Sequence, residues 1–377
     1  MATRRTGFTA PPTAGAPCEA NKTTISGDWM RTQRLASVWA LCTCASLGAH
    51  AQSSVTLGGY VDSYFQHAIT GQGTVNGLGN GALNQSRFFF TGVEDLGGGT
   101  TAIFDLEAPF NPNTGTGASS LFSRNAYLAL HNDKYGELRM GRVTTLQNDI
   151  LSSFWMARWG ASENAFLFQG NTVMNTNNTV RYESPSFYGF VLDAQYSFGT
   201  NGGAAGNLWE VKGQYDFGGL RAAGSFYRSK SPHDVNFPNS MLSMVTAGAS
   251  YAFAYAIPYV LYQRVFTTDA AGTAAVNRYN VDVALAIPFG ATSVRFDYGF
   301  TRDQVVANAN ADSASVRVDY SLSKRTIVYA GLSKIWNGEN AYYQATSASG
   351  STPVSTVTAA YLGKNSTSFI VGMRTAF

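Results

Sequence analysis

Thr292-Ser293-Val294-Arg295-Phe296-Asp297-Tyr298-Gly299-Phe300-Thr301 alternates without interruption. Val294, Phe296, Tyr298 and Phe300 share one side of an extended chain, and Ser293, Arg295, Asp297 and Thr301 share the other. Side chains of a strand point to opposite faces in turn, so this spacing predicts a two-faced β-strand. The pattern recurs at Ala314–Leu322, where Val316, Val318, Tyr320 and Leu322 oppose Ser315, Arg317, Asp319 and Ser321. It recurs again at 279–287, where Tyr279, Val281, Val283, Leu285 and Ile287 oppose Asn280, Asp282, Ala284 and Ala286. Alternation alone fits either a soluble β-sandwich, which wets its polar face, or a membrane barrel, which turns its apolar face to lipid.

Loop lengths separate the two. Candidate strands begin near residues 54, 84, 99, 122, 135, 178, 189, 207, 220, 243, 256, 276, 291, 312, 325 and 366. Short turns fall at 95–99, 132–135, 185–188, 218–219, 254–255, 289–290 and 323–324. Between them lie long connections at 67–83, 110–121, 143–177, 199–206, 229–242, 267–275, 303–311 and 337–365. Strict short-long alternation and an even strand number characterise bacterial outer-membrane barrels. A connection as long as 143–177 is rare in a compact domain unless it has a task. In lipid every backbone N–H and C=O must be paired, which a sheet achieves only by closing on itself. Closure with this many strands leaves an aqueous channel, whereas small barrels are filled by side chains.

Composition agrees. Only 13% of the 377 residues are charged and 13% are aromatic, and there are 39 glycines. Soluble domains carry about 25% charged residues. Mean hydropathy is near zero, and no stretch beyond residue 51 offers the roughly 20 consecutive apolar residues of a spanning helix.

The N-terminal segment gives the compartment. Met30-Arg31-Thr32-Gln33-Arg34 is a basic start, Leu35–Leu47 is apolar, and Ala49-His50-Ala51 precedes Gln52. That sequence of features is a signal peptide over 30–51, with cleavage expected after Ala51. Residues 1–29 are then an upstream extension, Met30 is the expected start, and 52–377 is the barrel domain. Cys18, Cys42 and Cys44 all fall in the part to be removed, so neither a disulfide framework nor a thiolate metal site is expected. Five of the 26 basic and two of the 23 acidic residues lie in 1–51, which leaves 21 of each. The basic excess belongs to the leader, which argues against a nucleic-acid partner.

Several segments resemble the trimeric Gram-negative porins, particularly the general porins of β-proteobacteria. Ser54-Val55-Thr56-Leu57-Gly58-Gly59-Tyr60-Val61-Asp62 is similar to their first strand. Gln85-Ser86-Arg87 followed by Gly92-Val93-Glu94-Asp95-Leu96-Gly97-Gly98-Gly99 is similar to their second strand and turn. Tyr320–Ala330 resembles the penultimate hairpin, and Val371-Gly372-Met373-Arg374-Thr375-Ala376-Phe377 resembles the closing strand. The resemblance implies an all-β fold: a 16-stranded antiparallel transmembrane β-barrel whose third external loop, 143–177, folds inward. It implies a homotrimer in the bacterial outer membrane, in contact with outer-membrane lipid and lipopolysaccharide. The function implied is a water-filled channel for passive diffusion of small hydrophilic solutes and ions, weakly anion-selective, with no cofactor and no metal. A substrate-specific channel with a saturable site at the constriction is the alternative.

The resemblance also implies the site. Such porins place arginines on the wall across from the inward loop, and Arg87 and Arg124 occupy two of those positions. A third arginine is often found where Asn175 stands here, and Arg142, Arg158 and Arg181 are nearby candidates to replace it. Asp105 and Glu107 on the third strand, with Asp149 and Glu163 in the long loop, are the acids expected opposite. Loop aromatics Phe154, Trp155, Trp159, Phe166 and Phe168 pack the loop on the wall or form a partly apolar eyelet. Phe377 is the terminal aromatic read by the outer-membrane assembly machinery, and its strand is expected to pair with the first strand near Val55. A barrel enzyme remains a remote third reading: His67, His131 and His233 lie far apart in sequence without triad or zinc spacing.

Overall fold

The quoted stretch forms a strand whose apolar face is the exposed one. Phe296 and Tyr298 are about half exposed, whereas Thr301 on the other face is fully buried. The inversion runs through the molecule: Leu128, Leu130, Leu138, Met140, Leu192, Val211 and Phe369 are exposed, and Gln66, Thr179, Asp193, Glu210, Gln263 and Asn280 are buried. Water would penalise such a surface; hydrocarbon around the outside and polar contacts within satisfy it.

The computed structural model describes residues 53–118, 120–155, 174–199, 207–230, 240–268, 274–345, 353–354 and 362–377. The expected leader and upstream extension lie outside the described residues. The chain opens with β1 (Ser54–Thr70), β2 (Gly73–Asn80), β3 (Arg87–Gly97), β4 (Thr100–Asn111) and β5 (Thr116–Gly117). Next come β6 (Ala126–Asn132), β7 (Gly136–Thr144), the helix α1 (Leu146–Phe154), β8 (Asn175–Glu183) and β9 (Phe190–Ser197). β10 (Leu208–Phe217), β11 (Leu220–Lys230), β12 (Met241–Tyr251), β13 (Ile257–Thr268) and β14 (Ala274–Phe289) follow. β15 (Thr292–Asp303), β16 (Ala311–Ser321), β17 (Thr326–Asn337) and β18 (Ser366–Ala376) complete it.

Every pairing is antiparallel, and sixteen of these strands form a closed barrel. Each of those wall strands begins within four residues of its expected start. β1 closes the circuit: Ser54–Tyr60 pairs with β3, and Tyr60–Ile69 pairs with β18. β2 and β5 are additions. β2 pairs with the far half of β1, and β5 forms a two-residue pairing with β4.

The seam differs in one detail from expectation. Val55 pairs with Gly92 of β3, not with the closing strand. The terminal residue meets Gly59 instead, each N–H donating to the other's carbonyl at 3.2 Å. Phe369, Val371, Met373 and the terminal Phe377 are exposed along the outer face of the closing strand. Glycine is required at 59 by close approach. A Cβ there would run into the Phe377 ring and lie 2.6 Å from the Arg87 carbonyl. Gly59→Val should therefore cost about 1–3 kcal/mol by overpacking and reduce the yield of heat-resistant folded barrel on a gel. In protein refolded in detergent, where no assembly machinery acts, adding Phe377→Ala should restore only part of that yield, because the Arg87 backbone cannot move away.

Inside the seam, Asp62 fixes the connection that leads to β3. Its Oδ2 accepts the Leu83 and Asn84 N–H groups at 2.6 and 2.8 Å, and its Oδ1 accepts the Tyr329 hydroxyl at 2.5 Å. Ser86 Oγ accepts Asp62 N–H at 3.0 Å and donates to Asp62 O at 3.1 Å. Tyr64, Ala82, Leu83, Tyr329 and Ile370 pack around this knot. Gln85 and Arg87 are thus delivered to the inner wall from a backbone with little freedom.

Candidate functional site

Arg87 opens β3, Glu107 lies on β4, and Arg124 stands just before β6. These elements are neighbours in the sheet, so the three side chains meet on one wall. Glu107 Oε2 lies 3.3 Å from Arg87 Nε and 2.8 Å from Arg124 Nε. Arg124 Nη1 also donates to Gln85 Oε1 at 2.7 Å. One carboxylate is shared between two guanidiniums.

The network continues sideways. Asn125 Nδ2 donates to Asp105 Oδ2 at 3.2 Å, and Asn175 Nδ2 donates to Asn125 Oδ1 and Thr144 Oγ1, both at 3.2 Å. Arg142 donates from Nε to Ser123 O at 2.8 Å and from Nη1 to Asn177 Oδ1 at 2.5 Å, which places it beside Arg124. On the seam side the Tyr60 ring lies between two cations, with Arg87 Cζ 4.9 Å and Arg374 Cζ 5.6 Å from its centroid. Arg374 Nη1 donates to Asn84 Oδ1 at 2.8 Å. Charged groups near a ring face are held without being neutralised.

Asp105 and Glu107 therefore sit beside the arginines, not across the lumen from them. The reason is register: Glu107 opposes Phe89 and Asp105 opposes Thr91, so both acids lie on the strand adjacent to Arg87. Asp149 does not face this wall either. It lies on α1, with Oδ2 2.9 Å from Arg181 Nη1 and 3.8 Å from Lys212 Nζ. Arg158 and Glu163, like Trp159, Phe166 and Phe168, lie outside the described residues.

A second charged band occupies β7–β10. Asp193 is the hub, 2.8 Å from Arg181 Nη2 and 3.1 Å from Lys212 Nζ. Glu183 lies 3.5 Å from both Arg139 and Arg181, and Arg139 also pairs with Glu137. Three cations here meet four carboxylates once Asp149 is included, and Glu210 on β10 stands beside them without an ion pair among the described residues. The first wall is different. Arg87, Arg124, Arg142 and Arg374 meet Asp105 and Glu107, and among the described residues neither Arg142 nor Arg374 has a carboxylate within ion-pair distance. The two walls thus differ in charge, and a further cluster on β15 and β16 joins Arg295 and Arg317 to Asp319.

α1 lies against inward-facing residues of β10–β13. Ile150, Leu151, Phe154 and Trp155 are buried with Leu261, Ala311 and Ala341. A Cβ at Gly248 would come within 2.6 Å of the Phe154 ring, so glycine there makes room for it. Phe154 and Trp155 accordingly pack the loop onto the wall and are closed to solvent. Sequence reasoning passed over Asp193, Lys212 and Glu210, although their polar parity within apolar strands marks them as inward-facing. Among the described residues, no three His, Cys, Asp or Glu side chains are placed to hold a metal ion.

A closed barrel with an apolar outside, a charged lumen and a helix folded against its inner wall defines a transmembrane β-barrel channel. The family model for Gram-negative porins matches residues 36–340, and the chain belongs to that family. It is 30% identical over 327 residues to outer membrane porin protein 32 of Delftia acidovorans, covering 80% of this chain and 89% of that one. It is 27% identical to the major outer membrane protein P.IB of Neisseria meningitidis, covering 80% and 94%. An anion-selective porin from Comamonas acidovorans superposes with a TM-score of 0.73 at 26% identity, covering 86% of this chain and all of the other. A trimer form of OmpT from Vibrio cholerae shares the fold, with a TM-score of 0.67 at 15% identity. The protein is an outer-membrane porin, a channel for passive diffusion of small hydrophilic solutes.

Proposed function

We propose that this porin is weakly anion-selective and that the wall built from Arg87, Arg124, Arg142, Arg374, Asp105 and Glu107 is its selectivity element. The observation that carries the reading is the sharing of Glu107 between two arginines on a wall of four. In a narrow aqueous lumen, fixed charges bias which ions enter without a tight site. The segment 143–177, entering through α1, is the constricting loop. Asn175 in place of a further arginine keeps the bias modest, and the Comamonas protein named as anion-selective supports the sign.

Glu107→Gln tests this directly. Removing that carboxylate raises the local balance by one unit and frees both arginines. Zero-current potentials in a salt gradient should move further in the anion direction, and a shift toward cations would sink the assignment. The channel further assembles as a homotrimer in outer-membrane lipid and lipopolysaccharide, after export on the 30–51 signal peptide. Phe377 acts as the terminal mark for the assembly machinery. Chemical cross-linking and N-terminal sequencing of the exported protein test the trimer and the cleavage after Ala51. The family consists of channels, and no enzymatic step is assigned.

A further inference from the structure

Leu146–Phe154 is the one helix among the described residues. Nine residues are too few for stable helix in isolation, and the first N–H groups of any helix lack partners within it. A side chain at the N-cap usually accepts one of them. Here Thr145 occupies that position and makes no cap bond; its hydroxyl meets the Met174 carbonyl at 3.4 Å.

The acceptor comes from the barrel wall. Glu210 on β10 receives Leu146 N–H on Oε2 at 2.8 Å and Gln147 N–H on Oε1 at 2.5 Å. Gln195 Nε2 donates to Oε2 at 3.0 Å, and the Glu210 side chain is fully enclosed. A carboxylate at this end of a helix gains from the helix dipole as well as from the two charge-assisted hydrogen bonds. Two strands, β8 and β9, lie between β7, which the chain has just left, and β10. The helix therefore begins only after the chain has turned inward and crossed to Glu210.

The other contacts of α1 run through side chains. Gln263 Nε2 donates to Gln147 Oε1 at 3.2 Å, Asp149 reaches Arg181 and Lys212, and Phe154 sits over Gly248. At the point of entry Thr145 N–H is held by the Met174 carbonyl at 3.0 Å, and Glu210 is the wall side chain that holds the first two helical N–H groups.

We infer that Glu210 is a positioning residue of the channel: it caps α1 from the wall and thereby fixes both the bore and the charge balance of the Arg181–Lys212 side. The consequence for current rests on 143–177 being the constricting loop. Without the cap the first turn of α1 frays, Asp149 leaves Arg181 and Lys212, and the lumen becomes wider and more positive.

The test uses the full-length folded protein in detergent and in planar bilayers. Glu210→Gln keeps the shape, removes the charge and sets an amide NH2 against one of the two N–H donors. Amide hydrogen exchange in a peptide spanning 144–155 should become about tenfold faster, the factor equivalent to about 1.4 kcal/mol and typical of a lost cap. Exchange in the wall strands should not change, and single-channel current should become larger and noisier. Glu210→Asp retains the charge on a shorter arm and should lie nearer the unaltered protein. Unchanged exchange, exchange accelerated equally in all strands, or unchanged current would each overturn the inference. If Glu210→Gln gives no folded barrel, Leu146→Pro carries the test from the loop side. Proline is accepted at the first helical position, and Thr145 is already extended at φ −68° and ψ 147°. It deletes one donor without altering the wall, and Leu146→Ala, which keeps the N–H, is its control. Faster exchange and noisier current in the proline variant alone support the inference; identical behaviour of the two overturns it. Arg87 and Arg124 are intact in every variant, so failure here is separable from failure of the selectivity assignment.

Discussion

Changing Arg87 and Arg124 together to Gln should remove the anion preference of the channel. The arginines of that wall outnumber its carboxylates even with Asp62, which lies opposite Arg374 in register, and the double change removes that excess. A unit charge felt at about 8 Å through water is worth roughly 0.5 kcal/mol. Two such charges come to about 1 kcal/mol, or roughly fivefold in the permeability ratio, before screening by salt. The loss should therefore be clearest in dilute salt and should shrink as ionic strength rises. Changing Arg87 alone should have less effect than changing Arg124 alone. Arg124 makes the shorter ion pair with Glu107 and also holds Gln85, so its loss disorders the wall as well as discharging it. Reversal potentials of the three variants check the ranking. Equal potentials in all of them would place the selectivity elsewhere.

Asp193→Ala should give the largest loss of stability. The Asp193 side chain is completely enclosed and lies between Arg181 and Lys212, which are themselves nearly closed to solvent. Removing one member of a buried ion group leaves uncompensated charge and costs about 3–5 kcal/mol. Asp149 offsets part of this, since it reaches the same two cations from α1. The temperature at which the folded, fast-migrating band disappears from a gel should fall sharply. Adding Lys212→Met should recover a substantial part, because it removes one of the stranded cations. A variant as heat-resistant as the unaltered protein would show that the cluster is solvated from the lumen and structurally dispensable.

Most of the wall was legible in the sequence because period-two alternation in a lipid-facing strand is enforced at nearly every position. Strand starts followed. β2 and α1 were not legible. Gly73–Asn80 contains three glycines in eight residues and acquires its strand form from pairing with β1. Leu146, Ile150, Leu151 and Phe154 do carry a helical spacing, but nine residues within a connection of 35 give it little weight; the partners that hold it come from β10–β13.

The site was legible by halves. Arg87 and Arg124 come together on one wall, on either side of β4 and both within reach of its Glu107. Asp105 and Glu107 were expected across the lumen, and only the register of β3 against β4 puts them alongside. Asp193 and Lys212 oppose one another across β9 and β10, as do Gln195 and Glu210. The polar parity of these residues was visible in each strand taken singly, whereas their pairing depends on a register that no single strand contains.

The most direct measurement is the zero-current potential of the unaltered protein in a planar bilayer separating dilute from concentrated potassium chloride. The arginine-rich wall of β3, β4 and β6 predicts a potential with the sign of chloride preference, modest in size and falling as both solutions are made more concentrated. A potential with the sign of potassium preference would contradict the account.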